Sequence, residues 1–173
     1  MDDNIKQFFS SQEYAVISAS TNRSKFGNKV LRCYQQNNKI IHPVNPKEKI
    51  IEGVPCITKL SDLPGAVMSI SIVTPPKVTE NIVEQAIEHG IKNIWMQPGS
   101  ESALAIQLCR DNNINIIANG PCILVELGFV DEVYRLIFDF YSLFSFSLLF
   151  EMPGIRRNYA YLFKRYINEW VVD

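Results

Sequence analysis

The 173-residue sequence predicts an α/β fold, a doubly wound parallel sheet of five strands. Three observations predict it. Short apolar runs alternate with amphipathic stretches of helical length. The run Val67–Val73 is nearly continuous in apolar residues, as a strand buried on both faces must be. A loop of small hydroxyl residues joins the first apolar run to the first helical pattern, as in a βαβ unit.

The elements follow in order. Ile5 to Ser11 reads as a short leading helix with Ile5, Phe8 and Phe9 on one face. Tyr14–Ile17 is the first strand, and Asn28–Asn37 the first crossover helix, with Val30, Leu31 and Tyr34 as its inner stripe. Lys39–Val44 is the second strand, closed by Asn45-Pro46. A connecting segment, Lys47–Leu63, carries Gly53-Val54-Pro55 and ends in a short helix near Leu60–Leu63. The third strand, Val67–Val73, stops at Pro75-Pro76, and Val78–His89 is a helix with Val78, Ile82 and Ala86 on one face. Ile91–Met96, Glu101–Asp111 and Ile114–Ala118 complete the pattern as strand, helix and strand. The expected strand order is 3-2-1-4-5, with the ligand crevice beyond the carboxyl ends of strands one and four.

The loop after strand one, Ser18-Ala19-Ser20-Thr21-Asn22-Arg23-Ser24-Lys25-Phe26-Gly27-Asn28, suits a phosphate. Small side chains let backbone N–H groups approach, a helix start supplies positive dipole, and Arg or Lys adds charge. It has neither P-loop nor G-x-G-x-x-G spacing, so an ordinary strand-to-helix turn competes with nucleotide binding. The loops holding Asn45–Lys47, Thr74–Lys77 and Gln97–Ser100 reach the same end of the sheet. A nicotinamide dinucleotide fold puts an acid at the end of strand two for the ribose 2′-hydroxyl. Here Val44-Asn45-Pro46-Lys47 precedes the first carboxylate, Glu48. That argues against NAD and for a ribose-phosphorylated ligand, either coenzyme A or NADP, and leaves those two open.

Composition excludes several classes. Net charge is −1 and the isoelectric point 6.1, which gives no field for nucleic acid or acidic lipid. Cys33, Cys56, Cys109 and Cys122 form no C-x-x-C pair, so no metal site and no disulfide framework is expected. The acidic start Met1-Asp2-Asp3-Asn4 has no apolar signal region, so the cytoplasm is the expected compartment and the sequon Asn22-Arg23-Ser24 carries little weight. His89 before Gly90 reads as a helix end, His42 and Trp95 as structural, Glu126 as a solvated carboxylate, and Cys122 as a small buried thiol. The competing reading of Cys122 is a thiol that meets a ligand thioester or disulfide. No Ser-His-Asp set or paired carboxylate is expected.

Six segments then fall in the order of a known family: Val16-Ile17-Ser18-Ala19-Ser20, Lys25-Phe26-Gly27-Asn28, Pro43-Val44-Asn45-Pro46, Val73-Thr74-Pro75-Pro76-Lys77-Val78, Ile94-Trp95-Met96-Gln97-Pro98-Gly99 and Gly120-Pro121-Cys122-Ile123-Leu124-Val125-Glu126. Over residues 7–128 the chain resembles the small stand-alone CoA-binding proteins, which are similar to the amino-terminal domain of the succinyl-CoA synthetase alpha subunit. The resemblance implies a Rossmann-like fold over 1–128 that holds CoA or an acyl-CoA. It carries no reaction, because such members lack the synthetase's second domain and phosphorylated histidine, and neither His42 nor His89 lies in a matching motif.

It further implies that Ser18, Ala19 and Ser20 line the phosphates and that Lys25 and Asn28 close the loop. Asn45, Pro46 and Lys47 would hold the adenosine end, with Lys47 toward the ribose phosphate. Thr74, Pro75 and Pro76 would wall the adenine or pantetheine arm, and Gln97, Pro98 and Gly99 would face the thiol. The chain departs from the family at Ser18, where glycine is usual, and at Asn119, where a smaller residue is usual. A side chain at Ser18 is expected to weaken binding, more so if its φ is positive. Other readings are an NADP-dependent oxidoreductase and an interaction module with a vestigial crevice.

From Phe129 the composition shifts, and 13 of the 19 aromatic residues lie in 129–173. Leu136–Phe150 is strongly apolar, but shorter than the roughly 20 residues of a membrane helix. Three readings of this extension stand open. It packs on the domain or forms a homodimer or partner interface; it anchors to a membrane surface, which the scarcity of lysine disfavours; or it is non-native sequence from a misread gene.

Overall fold

The computed structural model describes residues 2–131. The aromatic segment Leu136–Phe150 and the rest of the extension beyond residue 131 lie outside the described residues.

The sheet has five parallel strands: β1 (Glu13–Ile17), β2 (Ile40–Val44), β5 (Val67–Ile72), β6 (Asn93–Met96) and β7 (Asn115–Ile117). A two-stranded hairpin, β3 (Ile50–Ile51) and β4 (Val54–Pro55), interrupts the connection between β2 and β5. Helices α1 (Asp3–Phe9), α2 (Phe26–Gln36), α3 (Pro76–His89), α4 (Ala103–Asp111) and α5 (Ile123–Glu126) complete the domain. Pro76 opens α3 as its first residue rather than merely stopping the strand before it, since a missing N–H costs nothing there. Gly90 closes α3 at φ 84, as the His-Gly pair predicts.

The order in the sheet is β2-β1-β5-β6-β7, which is 2-1-3-4-5 for the five main strands. The expected order 3-2-1-4-5 is therefore corrected. Pro43 supplies one physical reason: a strand that lacks an N–H toward one flank belongs at an edge, and β2 is the edge. The apolar β5 takes the central place beside β1, with Ile17 opposite Ile72 and Ile72 opposite Met96. The chain thus changes direction between β1 and β5, and the crevice falls there instead of between strands one and four.

Alternation along the strands divides the core into two layers. Val16 and Trp95 face α1, α2 and α5, in a cluster with Phe8, Tyr14, Tyr34 and Ile123. Ile70, Ile72, Ile94 and Met96 face the opposite way with Val83 of α3 and Cys109 of α4. Phe8 meets Trp95 edge to face at 5.2 Å, which docks the leading helix on the sheet. Trp95 is fully buried and its Nε1 donates to Pro121 O at 2.9 Å, so its role is packing.

Candidate functional site

Four loops leave the carboxyl ends of β1, β2, β5 and β6, and hydrogen bonds stitch them together. Ser18 N donates to Val44 O at 3.0 Å, Asn45 Nδ2 to Ala19 O at 2.7 Å, Val73 N to Ile17 O at 3.2 Å and Thr74 N to Ser100 Oγ at 3.2 Å. Every residue singled out for the ligand lies on these loops or on the first turn of α2 or α3.

Ser18 adopts φ 68, a left-handed conformation that favours glycine. Gly27 faces it across the turn. A Cβ on Gly27 would lie 2.2 Å from Ser18 O, so only glycine lets α2 start this close to the loop backbone. The amides of Asn22, Ser24 and Lys25 are bonded within the loop, to Ser20 Oγ, Asn22 Oδ1 and Asn22 O. Those of Ala19 and Ser20 have no partner among the described residues. Lys25 caps α2 without a side-chain hydrogen bond, which leaves the helix start uncapped and the exposed ammonium beside it. An uncapped helix start with free amides and a cation attracts anionic oxygen.

Asn28 is fully buried, and its side chain is spent inside the protein. Nδ2 donates to Ser20 O at 2.7 Å and to Glu52 Oε1 at 2.9 Å, while Oδ1 accepts from Arg32 Nε at 2.8 Å. Asn28 therefore shapes the loop from beneath. Glu52 was absent from the sequence reading. It sits at the tip of the β3–β4 hairpin, and its carboxylate also meets Arg23 Nε at 3.4 Å. Glu48 accepts from Thr21 Oγ1 at 2.9 Å, a second tie between this segment and the loop. The turn pair Glu52-Gly53 was the only sequence signal, and it marks a hairpin without naming its contact.

Asn45 Oδ1 accepts from Lys47 N at 2.9 Å, an Asx turn that fixes the end of β2 and leaves Pro46 and Lys47 exposed. Thr74 is buried with its Oγ1 at 2.8 Å from Thr79 Oγ1, and Pro75 and Pro76 are exposed. Gln97 is fully buried; its Oε1 accepts from Ile123 N at 3.1 Å. Pro98 is half-buried, and Gly99 turns at φ 89. Cys122, next to Ile123, is buried, and burial pushes its thiol up from the ordinary range. That favours the structural reading of this cysteine over a nucleophilic one. Glu126 is exposed, as expected. Among the described residues no group of His, Cys, Asp or Glu could hold a metal ion, and no helix is long and apolar enough to cross a membrane.

Sheet order, small-residue loop and uncapped helix define the frame of an α/β nucleotide-binding domain. Residues 12–128 match the model of the CoA binding domain, and the chain belongs to that family. A solved structure of a conserved hypothetical protein from Pyrococcus furiosus is similar at 35% identity and TM-score 0.63, covering 66% of this chain and 98% of that one. A hypothetical protein from Pyrococcus horikoshii OT3 superposes at TM-score 0.67 with 27% identity, covering 72% and 87% of the two chains. Among curated proteins, the alpha subunit of an ADP-forming acetate–CoA ligase II from Pyrococcus furiosus is 32% identical over 90 residues, which is 50% of this chain and 19% of that subunit. An ADP-forming acetate–CoA ligase I from Archaeoglobus fulgidus is 31% identical over 81 residues, 12% of its length. The match thus spans about a fifth or less of these ligases.

Proposed function

We propose that the chain is a binding module that holds coenzyme A or an acyl-CoA along the carboxyl edge of its sheet. The observation that supports this best is the turn from Ser18 to Asn28. Gly27 packs on Ser18, the amides of Ala19 and Ser20 stand unpaired, and an uncapped helix follows. In this reading Ser18, Ala19, Ser20 and Lys25 take the phosphates, while Asn28 braces them. Asn45 and Pro46 seat the adenosine end, and Lys47 meets the ribose phosphate. Thr74, Pro75 and Pro76 wall the arm, and Gln97, Pro98 and Gly99 take its thiol end. The module has its place among soluble, cytoplasmic proteins.

Calorimetric titration with CoA, dephospho-CoA and NADP tests this. CoA is expected to bind, and to exceed dephospho-CoA by up to about fivefold, the scale of one exposed charge pair. The Lys47→Ala variant should remove that margin. Equal affinity for CoA and dephospho-CoA would strip Lys47 of its role. The exposed Lys47 and the lack of an earlier carboxylate also suit a 2′-phosphate, so NADP binding above CoA would replace this reading with the oxidoreductase one.

A further inference from the structure

Gln97 holds an anomaly. Its Nε2 is the one buried side-chain nitrogen or oxygen without a hydrogen-bond partner among the described residues. The amide cannot turn over to cure this, because Oε1 already accepts from Ile123 N at 3.1 Å, and a flipped amide would set donor against donor. A buried donor left unpaired is costly, and so marks a place where a partner belongs. That partner must be an acceptor. Its position suggests which kind: Gln97 directly follows β6, three strands along the edge from the end of β2, where the function proposed above seats the adenosine end.

We infer that Gln97 Nε2 donates to the thioester carbonyl of an acyl-CoA, and that the site favours the acylated cofactor over the free thiol. This rests on the CoA reading above. The surroundings agree with it. Gln97 bonds Ile123, and Ile123, the preceding Cys122 and Trp95 two residues before Gln97 are all buried and uncharged. Cys33 Sγ lies 3.8 Å from Ile123 O, and burial pushes that thiol up to about 12. Such a neighbourhood admits free CoA as the neutral thiol and acyl-CoA as the neutral thioester alike, so the carbonyl is what separates the two. The carbonyl that suits the orphaned donor is the group that acylation adds.

The test compares CoA, acetyl-CoA and the thioether S-ethyl-CoA, which matches acetyl-CoA in size but lacks the carbonyl. In the unaltered protein, acetyl-CoA should bind about five- to tenfold tighter than S-ethyl-CoA, the worth of one hydrogen bond. Read at a pH where its carboxyl is ionised, the Gln97→Glu variant keeps an oxygen for Ile123 N but loses the donor, and should erase or reverse that margin. Acetyl-CoA and S-ethyl-CoA binding alike to the unaltered protein would overturn the inference while leaving CoA binding intact. A uniform weakening of all three ligands in Gln97→Glu, margin preserved, would also overturn it and assign the donor to the shared pantetheine arm. If none of the three binds, the CoA reading itself falls, and this inference with it. Should Gln97→Glu not fold, the comparison in the unaltered protein still decides.

Discussion

Ser18 and Gly27 form a pair with opposite demands. Ser18 sits at φ 68, where an L side chain costs roughly 1–2 kcal/mol. Replacing it with glycine should stabilise the protein by up to about 1 kcal/mol, after the greater chain entropy of glycine is subtracted. The same change removes a Cβ from the loop, so CoA affinity should rise. Urea midpoints and calorimetry on Ser18→Gly check both outcomes. Gly27→Ala should do the reverse. Its Cβ would meet a backbone oxygen at 2.2 Å, and backbone cannot rotate away. A loss of about 1–3 kcal/mol is expected, the scale of overpacking, together with loss of CoA binding. If Gly27→Ala folds and binds normally, the close approach has no role in the site. The serine was visible in the sequence as a departure from a glycine pattern. Its backbone conformation, which makes the departure costly, was not.

The β3–β4 hairpin is an element whose purpose lies outside itself. It is only two residues long on each side, yet it delivers Glu52 to Asn28 and Arg23. Glu52→Ala would leave Asn28 Nδ2 with one acceptor fewer and the loop with one tie fewer. A hydrogen bond to a charged acceptor is worth about 1.5–3 kcal/mol when part-buried. The expected result is weaker CoA binding and faster proteolysis within residues 20–25, with the sheet intact by circular dichroism. The strands themselves were legible from alternation and apolar runs, because those patterns are local. The Glu52 contact was not, since it joins residues 24 apart in sequence through a turn whose direction no periodicity records. The sheet order lies between these cases. Pro43 carried the signal for an edge strand, and reading the second strand as interior passed over it.

For the whole molecule, the two core layers each hold a fully buried thiol, Cys33 on one face and Cys109 on the other. Burial pushes both up to about 12 from an ordinary 9.0. Unfolding lets them ionise near the ordinary value, so their contribution is complete below it and is lost as pH rises from there toward about 12. Buried Tyr34 shifts in the same direction. Urea midpoints should therefore fall on going from neutral pH to pH 10 or so, and less so in a Cys33→Ala, Cys109→Ala double variant. Unfolding that is flat across this range would remove the thiols from the balance.

The outer side of β2 has a further effect on the whole sheet. Pro43 presents no N–H there, Ile57 N already donates to Pro43 O at 2.9 Å, and Asn45 N donates to Ile57 O at 3.0 Å. An open strand edge is a template on which copies of a chain can stack into aggregates. The connector after β2 occupies that template with its own backbone. The same connector that braces the ligand loop thus also covers the carboxyl end of this flank against self-association.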